Sequence, residues 1–169
     1  MKGLNKSINK YVLSAMLFTL IAVFLTVVLT INLIKNNIRT VYSDNGFIID
    51  LEPKISGKLE KLSDLDGLSI KTNKINITNN NDYKKKYQIL ISPLNNYEDN
   101  IRVSLNNNFI RYLNNFSKSD GYYIIYEGVL ESGYSIVHQI SIWQSEDSNI
   151  KSISVDFKIS IKIIDEWNS

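Results

Sequence analysis

The sequence predicts a mainly β protein, in which a single N-terminal transmembrane helix precedes an antiparallel β-sandwich of the immunoglobulin-like or jelly-roll-like kind. Two observations lead to this prediction. Residues 11–34 contain no charged side chain, whereas the rest of the chain alternates apolar and polar residues in short runs separated by Asn, Asp, Ser and Gly. A composition of 44% hydrophobic and 11% aromatic residues is that of a folded chain rather than a disordered one.

The uncharged stretch at residues 11–34 is long enough to cross a membrane. As a helix it extends about 36 Å, which exceeds the roughly 30 Å of a bilayer core. It is longer than the apolar part of a signal peptide, and no small-residue cleavage site follows it. Three lysines precede it and fewer basic residues follow it directly. We therefore expect an uncleaved signal anchor in the cytoplasmic membrane, with residues 1–10 inside and the C-terminal domain outside.

The remaining boundaries follow from changes in pattern. Residues 35–45 lack a continuous apolar face and contain Asn and Asp, which disfavour helix interiors, so they are predicted to be a linker. The β domain is expected over residues 46–164, and residues 165–169 form a C-terminal tail.

Period-two alternation predicts about seven strands in this domain. It is clearest in residues 153–163, where apolar residues alternate with Ser, Asp and Lys. Phe109, Leu113 and Phe116 instead fall at helical spacing, which predicts a helical turn. The last strand can close a sheet edge or be donated to a neighbour, although Lys158 and Lys162 on its outward face oppose edge-to-edge association. The predicted strands are 47–51, 69–78, 87–92, 101–105, 122–130, 136–142 and 153–163.

Several kinds of chemistry are excluded or disfavoured by composition. A net charge of +2 from 19 basic and 17 acidic residues argues against nucleic-acid binding, and the absence of Cys excludes thiol chemistry and Cys-based metal sites. The single histidine, His138, is in phase with apolar neighbours and is predicted to be a neutral, hydrogen-bonded core residue. Asp64 and Asp66 lack the spacing of a calcium loop and are predicted to lie in a solvated turn. We expect no enzymatic activity, no metal and no cofactor.

Aromatic residues in the second half of the domain suggest a binding surface. Alternation places Tyr122 and Tyr126 on one face of a strand and Tyr123 on the other. With Tyr134 and Trp143 they could form an aromatic surface for glycan stacking or protein contact. The alternative is that these rings pack across strands inside the domain.

Several segments after the apolar stretch follow one another in a recognisable order. They are SDLDGL at residues 63–68, INITN at 75–79, YQILI at 87–91, GVL and SG within 128–133, and ISIW at 140–143. In this order the chain resembles a broad group of Gram-positive cell-surface proteins related to camelysin and to biofilm-matrix fibre proteins. The resemblance implies a jelly-roll or immunoglobulin-like fold and assembly by strand exchange. Because the chain lacks a recognisable cleavage site, the resemblance does not carry over to a released fibre-forming product.

These features lead us to expect a membrane-anchored binding or assembly module of a bacterial cell envelope. It would contact lipid through residues 11–34, and its partner would be another envelope protein, a second copy of itself or cell-wall polymer. Sheet edges or the aromatic surface would make the contact. The alternative is a non-catalytic subunit of a membrane complex that assembles through the transmembrane helix.

Overall fold

The computed structural model describes residues 2–36, 39–92 and 97–164, and the predicted tail at 165–169 lies outside this part of the chain. The chain divides into two compact units, Met1–Ile38 and Arg39–Ser169. The first contains one apolar helix and the second contains two β-sheets. The predicted fold class is confirmed.

The N-terminal unit is the helix α1, Lys2–Asn36. Its stretch Val12–Thr30 has a mean hydropathy of 2.7 and is long and apolar enough to cross a membrane. The hydroxyls of Thr19, Thr26 and Thr30 donate to the carbonyl oxygens four residues earlier, at 2.8–2.9 Å. These polar groups are satisfied within the helix, so they do not oppose burial in lipid.

The C-terminal unit consists of two sheets. The first contains, in spatial order, β1 (Thr40–Asp44), β2 (Phe47–Leu51), β5 (Asn73–Asn79), β11 (Ser135–Ser145), β7 (Ile101–Leu105) and β8 (Phe109–Tyr112), with β4 (Lys61–Leu62) parallel to β11. The second contains β3 (Lys54–Lys58), β12 (Ser154–Ile164), β6 (Lys85–Ile91), β10 (Tyr122–Leu130) and β9 (Lys118–Ser119). Apart from the β4 pairing, neighbouring strands are antiparallel throughout the described residues. This is the arrangement of a β-sandwich.

The core is built from the inward residues of both sheets. In β12, Val155, Phe157 and Ile159 are buried, while Lys158 between them is exposed. The alternation predicted from the sequence is therefore confirmed in this strand. Burial of apolar side chains from the inner faces of both sheets is the main source of stability in such a sandwich.

The N-terminal boundary of the domain was predicted wrongly. Residues 35–45 were expected to be a linker, but α1 continues to Asn36 and β1 occupies Thr40–Asp44. β1 pairs with all five residues of β2, so the sheet begins before residue 46. The sequence pattern of β1 is weak because this strand lies at the edge of the sheet, where one of its faces is partly buried and the other is exposed. The helix also begins at Lys2, within the predicted N-terminal tail.

The short strands β3, β4, β8 and β9 were also missed, for the same reason as β1. The predicted helical turn at 109–116 is in fact β8 followed by a 3₁₀ turn at Leu113–Asn115. Left-handed backbone at Asn106 and Asn107 closes a tight hairpin between β7 and β8. Pairing with β7 therefore overrides the helical spacing of Phe109, Leu113 and Phe116.

The last strand, β12, lies between two others. Its residues Ser154–Lys158 pair with β3, and Ile159–Ile164 pair with β6. It is thus an internal strand of its own sandwich and does not form the edge that the sequence suggested.

Candidate functional site

The five aromatic residues predicted to share a surface are separated by the fold. Trp143 and Tyr123 are buried, Tyr122 and Tyr126 are half-buried, and Tyr134 alone is largely exposed. The predicted aromatic surface is therefore wrong, and the alternative of packing inside the domain holds for most of these rings.

Trp143 is buried because a distant segment crosses over it. The short helix α2 (Asp64–Gly67) lies against β11, and a methyl group added at Gly67 would fall 2.2 Å from Cε2 of the Trp143 indole. Ser63 caps this helix by accepting from the backbone N–H of Asp66. The indole therefore belongs to the packing beneath α2.

The acidic segment around α2 is a largely exposed helical turn, as predicted, and an ion pair holds Asp64 within it. Nε of Arg102 donates to Oδ1 of Asp64 at 2.8 Å, and its Nη2 pairs with the other carboxylate oxygen. The guanidinium also lies 4.1 Å from the ring centre of Tyr112. Asp64 raises the pKa of Arg102, chiefly through their hydrogen bond. Within residues 2–36, 39–92 and 97–164, no cluster of three metal-binding side chains occurs.

Tyr126 faces the opposite side from the one predicted because β10 contains a bulge. Ile124 pairs with Leu90 and Tyr126 pairs with Ile89, so Ile125 is the additional residue. The bulge reverses the alternation after Ile124. Tyr126 consequently points between the sheets, where its ring centre lies 4.6 Å from that of His138.

His138 occupies the buried, hydrogen-bonded position predicted for it. Its Nε2 lies 2.7 Å from the hydroxyl of Tyr87, and its Nδ1 lies 3.2 Å from Nδ2 of Asn106. Oδ1 of Asn106 accepts from the backbone N–H of Gln139, which orients the amide nitrogen toward the imidazole. Nδ1 is then the acceptor and Nε2 carries the proton that the Tyr87 oxygen accepts. Burial lowers the pKa of His138 and raises that of Tyr87.

An open groove lies between the two sheets at the β8 side of the sandwich. Its volume is about 410 Å³, within the range typical of ligand sites. It is lined by the end of β7, by β8 and the segment that follows it, and by β10; the lining residues are Leu105, Phe109, Arg111, Asn115, Phe116, Ser117, Ile124, Ile125, Tyr126 and Glu127. The lining comes from segments that are separate in sequence, so local patterns could not reveal it.

Two β8 side chains give this groove its chemical character. Phe109 pairs with Leu105 and Arg111 pairs with Val103, and both partners are core residues, so Phe109 and Arg111 point to the inner side of the first sheet. They are nevertheless exposed, and Phe109 retains 63% of its accessible surface. No strand of the second sheet covers them in the described structure.

Of the two charged side chains that line the groove, Glu127 has a hydrogen-bond partner, whereas Arg111 has no ion-pair partner among the described residues. Arg111 lies 6.0 Å from the ring centre of Phe116, and no carboxylate of the described residues is within ion-pair distance of it. Glu127 accepts from Nε2 of Gln88 at 2.6 Å. The groove therefore combines apolar walls with a guanidinium available to an anionic group.

The opposite side of the sandwich is closed. Tyr42 of the edge strand β1 is partly buried and packs against the core. Burial raises the pKa of Tyr42. The inter-sheet space is thus covered beside β1 and open beside β8.

The fold defines a class of protein: an apolar helix long enough to span a membrane, followed by a β-sandwich with one open side. Beyond this class the comparisons are negative, since no protein-family model, no curated protein and no solved structure matches the chain.

Proposed function

We propose that this protein is a single-pass membrane protein whose β-sandwich lies outside the cytoplasm and binds another component of the cell envelope. The observation that carries the proposal is the groove beside β8. It exposes an inward-facing Phe109 and a guanidinium at Arg111 that no described carboxylate neutralises. Exposed apolar surface next to an available charge is typical of binding sites.

The membrane placement rests on α1 and on the distribution of charge around it. Val12–Thr30 meets the length and hydropathy of a spanning helix. The lysines that precede it favour an N-terminus inside the cell, because basic residues are retained on the cytoplasmic side. Protease added to intact cells should then remove the β domain and leave a short N-terminal membrane fragment. Protection of the whole domain would contradict this orientation.

Photo-cross-linking in living cells tests the groove directly. The photoreactive residue p-benzoylphenylalanine is placed at Phe109, and the same residue at Val137 is the matched control. Val137 is also an exposed apolar residue of the first sheet, but it lies on the outer face. We expect a specific adduct from position 109 and none from position 137. Equal labelling at both positions would contradict a binding role for the groove.

The same assay separates the proposal from assembly through the helix. Replacing residues 12–30 by a neutral Leu/Ala helix keeps the anchor but removes its sequence. If the groove carries the association, the adduct at position 109 persists. Loss of the adduct while the protein stays in the membrane would instead favour a subunit that assembles through α1.

A further inference from the structure

We propose that the partner is an extended peptide segment that adds to β8 as a further strand and places an acidic residue opposite Arg111 and an apolar residue opposite Phe109. This inference rests on the proposed function, because it concerns the same groove. It specifies the partner by its backbone conformation and by two side chains.

The first argument is that β8 ends its sheet. It pairs with β7 on one side, and no strand pairs with its other side within the described residues. A free edge presents backbone N–H and C=O groups that an incoming strand can pair with. The four residues Phe109–Tyr112 provide a short platform that an extended peptide would continue.

The second argument is that the other sheet ends are less suitable. β3 carries Lys54 and Lys58, and its Gly57 has a φ of +122°, so its edge is both charged and irregular. β9 has two residues only and pairs with the first two of β10, whose edge beyond them carries a bulge. Beside β1, the strand's own Tyr42 packs against the core and covers the inter-sheet space. Of these ends, β8 is the one that combines a regular edge with an uncovered groove.

The third argument specifies the side chains. In antiparallel or parallel pairing, residues directly opposite each other share a face, and positions i and i+2 on that face are about 7 Å apart. Phe109 and Arg111 form such an i, i+2 pair on the groove side. An added strand therefore has two groove-facing positions, one beside an exposed phenyl ring and one beside a guanidinium. Apolar contact and opposite charge are the pairs that stabilise such neighbours.

The experiment is a peptide selection on the full-length protein in lipid nanodiscs. A phage library of eight random residues is panned against the wild type and against Arg111→Glu. We expect wild-type binders to contain an acidic residue two positions from an apolar one. Arg111→Glu should instead select a basic residue at the acidic position. Lys158→Glu is the matched control, because Lys158 is also exposed but lies on β12 in the other sheet, and its selection should equal that of the wild type.

The strand geometry is tested with the strongest selected peptide. Methylation of alternate backbone nitrogens along one edge of the peptide removes the donors that would pair with β8. We expect this methylation to weaken binding about tenfold or more. Methylation along the other edge of the peptide should not weaken binding in this way. Equal effects of the two methylation patterns would overturn strand addition. Folding of Arg111→Glu is checked by circular dichroism, and Arg111→Gln provides a second variant that should lose the acidic preference without gaining a basic one.

Failure of this inference can be distinguished from failure of the proposed function. If the folded protein selects no peptide, or if Arg111→Glu selects the same residues as the wild type, strand addition of an acidic peptide is wrong. The cross-link from position 109 in cells would still report a groove partner of different chemistry. Absence of that cross-link would remove the groove itself as a binding site.

Discussion

The hydroxyl of Tyr87 in β6 lies 2.7 Å from Nε2 of His138 in β11, so a hydrogen bond joins the two sheets through the centre of the core. Tyr87 is fully buried and His138 is 1% exposed. The side-chain amide of Asn106 forms a hydrogen bond with the other imidazole nitrogen, Nδ1, and Tyr126 packs against the ring. A buried polar pair satisfied on both sides fixes how the sheets face each other, since any displacement leaves polar groups unpaired.

This pair predicts a pH dependence of stability. The pKa of His138 is lowered by burial in the folded state, so the unfolded chain, with a histidine pKa of about 6.5, binds more protons below about pH 7. Stability should therefore fall as pH decreases from 7 toward the folded pKa, by at most about 1.4 kcal/mol per pH unit. Urea unfolding of the fragment 39–169 between pH 7.5 and 5.5 measures this slope.

His138 is the single histidine of the chain, which makes the assignment direct. In His138→Gln the slope between pH 7 and 5.5 should be smaller than in the wild type, whatever the change in absolute stability. An unchanged slope in the variant would assign the pH dependence to other groups.

Removing the Tyr87 hydroxyl should destabilise the domain without opening a large cavity. Tyr87→Phe leaves the Nε2 proton of His138 buried without an acceptor, and we expect a cost of about 1–3 kcal/mol. Tyr134→Phe is the matched control, because Tyr134 is 66% exposed, and it should change stability by less than about 0.5 kcal/mol. Similar losses in both variants would mean that the buried bond contributes little.

The contact between α2 and Trp143 predicts the effect of a single methyl group. Because a Cβ at position 67 would overlap the indole, Gly67→Ala should cost about 1–3 kcal/mol through displacement of α2 or of Trp143. Ser69→Ala, at an exposed position just after α2, should be close to neutral. Equal unfolding midpoints for Gly67→Ala and the wild type would show that α2 moves away from Trp143 without cost.

The alternation in β12 predicts opposite behaviour at neighbouring positions. Phe157→Ala and Ile159→Ala each remove a buried side chain and should cost about 2–5 kcal/mol. Lys158→Ala, at the exposed position between them, should cost less than about 0.5 kcal/mol. A comparable loss at all three positions in urea unfolding would contradict the observed facing of this strand.

Because the β domain begins at β1, the residue at which a fragment starts should affect the stability of that fragment. A fragment of residues 46–169 lacks β1 and Tyr42, which leaves β2 as an exposed edge and uncovers part of the core. It should be less stable than the fragment 39–169 by about 2 kcal/mol or more, the value expected for exposing one large side chain. Equal stability of the two fragments would show that β1 adds nothing to the sandwich.

Much of the fold could be predicted from local patterns. The uncharged stretch at 11–34 predicted the helix, and the alternation in residues 153–163 predicted which side chains of β12 are buried. The phase of His138 with Ile136 and Ile140 predicted its burial. These features depend on the period of a single helix or strand, which neighbouring residues in the sequence determine.

The surface chemistry could not be predicted in this way. One additional residue at Ile125 turns Tyr126 from the outside to the inside, and α2 covers Trp143, which was predicted to lie in an exposed aromatic surface. Likewise, Phe109 and Arg111 are exposed because no strand of the second sheet covers β8 in the described structure. Sequence periodicity determines that a strand has two faces, whereas the packing of distant segments decides which face is covered, because burial depends on contacts between residues far apart in the chain.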